Sequence, residues 1–169
     1  YNTNELLGAY PGVDGVKTGY TGQAGRCLVT TAIRNNMRLI SVVFGSPTRN
    51  ARAQSSRNIL DYSFNNYKRY TLMKSGESIG KLKVIKGIVN EVEVKAVEEL
   101  AVPLKQEEYE SLQKDVKLME SLNAPVSANI EVGTVSFSIN GNIIASTPLV
   151  TCNDARRKTF KDYFQDIIY

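Results

Sequence analysis

The chain has no histidine among its 169 residues. That absence excludes a Ser-His-Asp triad, a cysteine nucleophile activated by imidazole, and a zinc site built on histidine nitrogens. Acid–base work must then fall to Lys, Tyr, Asp or Glu. Cysteine is scarce too: Cys27 and Cys152 are the only two, too few for a disulfide framework. Cys27 lies in an apolar strand pattern and reads as a small buried side chain. No apolar run is long enough to cross a bilayer and no secretory segment opens the chain. It starts on Tyr1 rather than methionine, which reads as a truncated start. Charge is not extreme: 21 Lys and Arg against 17 Asp and Glu leave +4. That excess fits an ordinary solvated surface, or a mild attraction to an anionic wall or lipid surface.

What is present concentrates in Val13-Asp14-Gly15-Val16-Lys17-Thr18-Gly19-Tyr20-Thr21. The stretch reads as a short strand running into a turn. Glycines on either side of Lys17-Thr18 remove bulk and let a ligand approach the backbone. Lys17 offers a fixed positive charge, Thr18 a hydroxyl, and Tyr20 a backbone N–H. That set suits a substrate with a carboxylate and a carbonyl oxygen. Lys-Thr-Gly alone is a weak signal, since three common residues coincide by chance, and the bland alternative is a surface hairpin with an exposed lysine.

The surroundings sharpen it. Tyr10-Pro11-Gly12-Val13-Asp14-Gly15-Val16-Lys17-Thr18-Gly19-Tyr20-Thr21, then Ala24-Gly25-Arg26-Cys27-Leu28-Val29, Met37-Arg38-Leu39-Ile40-Ser41-Val42-Val43-Phe44-Gly45 and Arg52 resemble the serine-type D-alanyl-D-alanine carboxypeptidases, the low-molecular-mass penicillin-binding proteins of peptidase family S11. More loosely, the resemblance reaches Pro148-Leu149-Val150. In that family, as in class A β-lactamases, Lys-Thr-Gly is the third of three motifs, after Ser-x-x-Lys and Ser-x-Asn. The resemblance implies a catalytic role for Lys17 and substrate binding by Thr18, Gly19, Tyr20 and Arg52, with Arg52 on the substrate's terminal carboxylate. A planar two-pronged donor fits a carboxylate; Arg49 stands close enough to be the counterpart instead. Tyr20 departs from relatives that carry histidine there, so only its backbone role carries over.

The implied reaction is attack of a serine on the bond between two terminal D-alanines of a peptidoglycan stem peptide, through an acyl-enzyme that penicillins also form. No serine precedes Lys17. The nucleophile is therefore expected upstream of Tyr1, in an N-terminal half that would complete the catalytic domain, and the fragment alone is expected to be inactive. Implied partners are stem peptides ending in D-Ala-D-Ala, β-lactams and that N-terminal half; no cofactor, metal or nucleic acid is implied. The implied location is extracytoplasmic, at the cell wall or the outer face of the cytoplasmic membrane, with a role in peptidoglycan and cell shape. A β-lactamase-related hydrolase and a non-catalytic cell-wall-binding module remain as alternatives.

Along the chain, strands are expected at Val13–Thr18, Arg26–Arg34 and Met37–Gly45, the last a near-continuous apolar run that reads as buried on both faces. Ser46-Pro47-Thr48 resembles a helix start, and the helix runs to about Tyr67 with Ile59, Leu60, Phe64 and Tyr67 as its buried stripe. After Lys68 the pattern changes to short alternating segments: Lys74–Ile85, Val89–Val97, Val126–Val132, and the hairpin Val135–Ala145 around Asn140-Gly141. Lys105–Leu118 reads as helix by composition and as strand by resemblance.

The expected class is α+β. Residues 1–68 are the C-terminal portion of a β-lactamase/transpeptidase-like domain, antiparallel strands plus a helix. Residues 69–152 form a small all-β sandwich, and residues 153–169 a basic amphipathic tail. In the tail, Phe160, Phe164, Ile167 and Ile168 share one helical face beside Arg156, Arg157, Lys158 and Lys161. This fits a membrane-surface anchor, a terminal helix packed on the sandwich, or a disordered end. Ser78/Lys81 and Ser111/Lys114 match Ser-x-x-Lys, and Ser56/Asn58 and Ser63/Asn65 match Ser-x-Asn. All four follow Lys17 rather than precede it, and read as coincidence.

Overall fold

Leu, Val, Thr and Ile crowd the second strand, and such side chains fit a pleated, half-buried surface. The strands β1 (Val13–Thr21), β2 (Gly25–Arg34) and β3 (Met37–Ser46) pair antiparallel in that order. Asn35 and Asn36 both take positive φ, 49° and 58°, which gives the β2–β3 turn the hand that matches strand twist. The computed structural model describes the backbone of residues 1–168 and the side chains of residues 1–164.

β3 departs from its expected burial. Met37, Ser41 and Val43 are buried, while Ile40 is 63% and Phe44 72% exposed. The apolar run alternates because a single helix, α1 (Arg49–Asn66), covers one face of the sheet. Thr48 caps that helix, its hydroxyl taking the Ala51 N–H at 3.0 Å. The stripe α1 buries is Arg52, Ser56 and Leu60, one row of residues four apart. Ile59 falls off that row and is 42% exposed, against the expected stripe. Leu60 packs with Leu6, Tyr10, Leu28 and Ala32, flanked by Phe64. The Ser56 and Ser41 hydroxyls hydrogen-bond at 2.5 Å, joining α1 to β3 inside this core.

The chain divides into two compact units, Tyr1–Arg69 with Pro103–Glu107, and Tyr70–Val102 with Glu108–Tyr169. In the second, β5 (Ser78–Ile85), β6 (Glu91–Ala96), β8 (Gln113–Leu118), β9 (Ser121–Asn123), β10 (Glu131–Ile139) and β11 (Asn142–Thr151) form one sheet in the order β8-β10-β11-β6-β5-β9. All its pairings are antiparallel except β5 with β9. β4 (Lys68–Met73) and β7 (Leu100–Leu104) make a separate two-stranded ribbon. Met73 and Leu100 share one core with Val84, Val94, Val135, Phe137 and Leu149 of the sheet, so the layers form a small β-sandwich. The overall class is α+β.

Both readings of Lys105–Leu118 hold in part: α2 (Gln106–Glu110) is one helical turn, and β8 follows it. Of Val126–Val132, only residues from Glu131 are strand; Asn129 at φ 62° interrupts the extended backbone. Residues 155–158 are built into the sandwich. Ala155 is buried and exchanges backbone hydrogen bonds with Val126, and the Lys158 N–H reaches the Lys86 carbonyl at 2.8 Å. Then α3 (Phe160–Ile168) begins. The Asp162 carboxylate in its first turn accepts the Thr159 N–H at 2.7 Å and pairs with Arg156 at 2.7 Å. These donors hold its carboxyl well below the usual range. Phe160 is 87% exposed, and Phe164 one turn on is exposed as well; the side chains of Ile167 and Ile168, named for the same face, lie outside the described residues. No described helix is long and apolar enough to cross a membrane.

Candidate functional site

Strand parity decides where the Lys-Thr-Gly side chains go. Register places Thr18 opposite Leu28 and Leu28 opposite Val43; it places Lys17 opposite Val29 and Val29 opposite Val42. Directly opposed residues share a face. Thr18 therefore stands on the face that α1 covers, with buried Leu28 and Val43, and Lys17 on the other, with exposed Val42. Lys17 Nζ lies 3.5 Å from the Thr18 carbonyl.

On the α1 side is a cleft of about 560 Å³, lined among others by Thr18, Gly19, Tyr20, Arg26, Arg49 and Arg52. Four of the five residues singled out in the sequence meet here; Lys17 is not among the lining residues, for the reason of parity just given. Arg52 and its alternative Arg49 both reach the cleft from the first turn of α1, so the structure does not choose between them by position. They differ in burial. Arg49 is exposed and Arg52 only 4% exposed. Arg52 Nη1 donates to the Cys27 carbonyl at 3.3 Å, Nη2 donates to Glu5, and buried Nε has no hydrogen-bond partner among the described residues. The Arg26 guanidinium sits 5.0 Å from the Tyr20 ring centroid. Three guanidiniums face one carboxylate, Glu5, so the cleft favours anions. Among the described residues it is lined by no serine and no lysine.

β1 is an edge strand. Asn2 Nδ2 donates to the Val16 carbonyl on its free edge at 2.7 Å. In an antiparallel strand, alternate residues turn both backbone groups to the same edge. Thr18 and Tyr20 therefore also aim their N–H groups outward from the sheet, away from β2.

Cys27 is half-buried rather than buried, and both cysteines are free; its Sγ contacts the Ala24 carbonyl at 3.5 Å. Ser78 and Lys81 lie on a strand, β5, rather than at a helix start, and Lys81 pairs with Glu91 at 3.4 Å. Ser111 bonds the Glu108 carbonyl. Ser56 is committed to Ser41.

Sequence reasoning missed the segment Asn2–Glu5. Asn2 and Asn4 bond the Val16 and Gly15 carbonyls, while Thr3 and Glu5 engage Thr18 and Arg52. A signal was available: Asn4 Oδ1 accepts the Leu6 N–H at 3.0 Å, a local turn that asparagine favours.

Residues 1–48 match the model of the D-alanyl-D-alanine carboxypeptidase family, and residues 67–157 that of the penicillin-binding protein 5 C-terminal domain. D-alanyl-D-alanine carboxypeptidase DacF of Bacillus subtilis is 36% identical over 94% of this chain and 41% of its own length. DacC of Escherichia coli is 34% identical over 94% of this chain and 40% of its own. Penicillin-binding protein 5 of Haemophilus influenzae superposes with a TM-score of 0.74 at 34% identity, covering 91% of this chain and 46% of that one. The chain thus spans about two fifths of the length of these curated relatives. It belongs to the D-alanyl-D-alanine carboxypeptidase family of penicillin-binding proteins, and corresponds to the C-terminal part of that family's members.

Proposed function

We propose that this chain forms the substrate-recognition wall of a serine-type D-alanyl-D-alanine carboxypeptidase acting on peptidoglycan stem peptides outside the cytoplasm. The observation that carries the reading is the shared cleft of Thr18, Gly19, Tyr20 and Arg52. The free edge of β1 lets an extended peptide lie alongside it as an added strand. The Tyr20 N–H then serves as an oxyanion donor to the scissile carbonyl. Thr18 and Arg52 take the terminal carboxylate, with Arg49 adding charge at the rim.

Lys17 belongs to the other face of β1. Its role is catalytic, in the proton network around a serine nucleophile that this cleft does not supply. That serine and its own lysine would come from an N-terminal half of the catalytic domain. β-Lactams, which mimic the acyl-D-Ala-D-Ala end, would occupy the same groups. The sandwich of the second unit argues against a β-lactamase, which works as a single domain. The tail supports a weak membrane-surface contact through Phe160 and Phe164.

Fluorescent penicillin tests this. Chain 1–169 alone should take no covalent label; with an N-terminal half bearing Ser-x-x-Lys supplied, a long-lived adduct is expected. Rapid turnover of the label would mean a lactamase, no label a wall-binding module. A stable label on the isolated chain, mapped to Ser78 or Ser111, would overturn the assignment.

A further inference from the structure

Residues 2–5 run beside β1 at the cleft, with their side chains dealt alternately to two tasks. Asn2 and Asn4 dock on β1, donating to the Val16 and Gly15 carbonyls at 2.7 and 3.0 Å. Thr3 and Glu5 turn to the cleft. Thr3 Oγ1 hydrogen-bonds Thr18 Oγ1, and Glu5 Oε1 pairs with Arg52 Nη2. The two groups assigned to the ligand carboxylate are thus both engaged by one short segment.

The pairing has a physical cause. A guanidinium cannot shed its proton, and one as buried as Arg52 needs a counter-ion. Among the described residues, Glu5 is the cleft's only carboxylate. It is held rather than mobile: Leu6, next to it, is buried in the α1 core, and the Asn4 side chain on its other flank donates to the Gly15 carbonyl and accepts the Leu6 N–H. The Glu5 side chain keeps about a third of its surface in solvent, unlike that of Arg52, so it borders the volume a ligand would enter.

Resting on the carboxylate-binding reading above, we infer that Glu5 is a specificity-determining residue: it stands in for the ligand's terminal carboxylate on Arg52, and an incoming carboxylate must compete with it. Glu5 lowers affinity for free C-terminal carboxylates and leaves amidated ends untouched. Peptides with a free carboxylate then succeed only when the β1 edge contributes as well, which selects an extended peptide over a small free acid.

The experiment titrates the ¹⁵N-labelled chain with Nα-acetyl-D-alanyl-D-alanine, with its C-terminal amide and with acetate, following the Thr18, Gly19 and Tyr20 amides. Glu5→Gln should tighten the free acid by roughly three- to tenfold, the size of one partly screened charge contact, with the amide unchanged. Acetate should gain in proportion, narrowing the preference for the dipeptide. Thr3→Ala, which leaves the Arg52 counter-ion in place, should tighten the free acid to a smaller degree and keeps the test open should Glu5→Gln unfold. Weaker or unchanged binding of the acid to both variants overturns the inference and makes Glu5 merely an orienting partner. Arg52→Ala separates the two readings. If it abolishes the acid-over-amide preference while Glu5→Gln changes nothing, only the inference fails. If the wild-type chain shows no such preference, both fail.

Discussion

Gly12 enters β1 through a backbone that only glycine takes without strain, at φ 83°. A Cβ placed there would lie 2.2 Å from the Ile33 carbonyl oxygen, about an ångström inside ordinary contact. Three costs follow for Gly12→Ala. The left-handed backbone costs roughly 1–2 kcal/mol for an L-residue. Forcing atoms into filled space costs about 1–3 kcal/mol. The Ile33 N–H donates to the Gly12 carbonyl at 2.9 Å, so retreat from the clash also sacrifices a hydrogen bond worth about 1 kcal/mol. The sum, roughly 3–6 kcal/mol, rivals the whole stability of an ordinary domain, about 5–15 kcal/mol. Gly8 is the control: its φ is 71°, but a Cβ there meets nothing within 4 Å, so Gly8→Ala should cost only the conformational part, about 1–2 kcal/mol. Urea titration read by hydrogen exchange reports the two units separately. Loss of protection should be confined to β1 and β2, with the sandwich unaffected. Equal costs for both variants, or under about 1 kcal/mol for Gly12→Ala, would show that the Ile33 carbonyl yields freely and that the loop does not fix β1.

Tyr10 supplies a pH dependence. Burial first, then the 2.6 Å hydrogen bond to Asp61, raises its phenol above the ordinary value, so this contribution is complete below pH 10 and is lost as pH rises through the folded-state pKa; Tyr10→Phe should flatten the alkaline limb of the stability profile, and an unchanged limb would refute it. Asp162→Asn removes the charge that holds Arg156 and should accelerate amide exchange over residues 159–163 while the sandwich melts as before; no change in exchange would show that α3 does not depend on this cap. Lys17→Ala should leave free-acid binding in the cleft within about twofold while Thr18→Val weakens it several-fold, as expected if only Thr18 faces that side; equal losses in the same amide titration would contradict the assigned faces.

Much of the first unit is legible in its residues. Strand-forming runs separated by Asn35-Asn36, and a capped start at Thr48, fixed the order of elements to within a few positions. Burial was less legible. Ile40, Val42 and Phe44 read as interior because apolar residues ordinarily are, yet α1 covers one face only, and period-two alternation within an all-apolar run leaves no trace in hydropathy. Ile59 was misread for the converse reason. The buried row of α1 holds an arginine and a serine that bond Glu5, Cys27 and Ser41, and polar residues at core positions look like surface until their partners are known. The second unit announced itself through Val89–Val97 and Asn140-Gly141, whereas Asn129 gave no sign that it would break the expected strand at Val126–Val132.

Adjacent letters in a motif are not adjacent in chemistry when the motif lies on a strand. Lys17 and Thr18 are neighbours in sequence and back to back in space, so one segment serves two faces of the sheet. On the proposed reading, the carboxylate end of a ligand would lie with Thr18, Arg52 and the strap of Thr3 and Glu5. On the same reading, a nucleophile that uses Lys17 would approach from the opposite face, the one that exposes Ile40, Val42 and Phe44. Those side chains form a contiguous apolar row on β3, a surface suited to burial against further protein. The scissile carbonyl would then lie at the edge of β1 itself, where the outward N–H groups of Thr18 and Tyr20 are donors open to both faces. An edge strand unpaired along that stretch is thus a requirement of the proposed chemistry, because pairing it with another strand would consume the donors on which the two halves of the site converge.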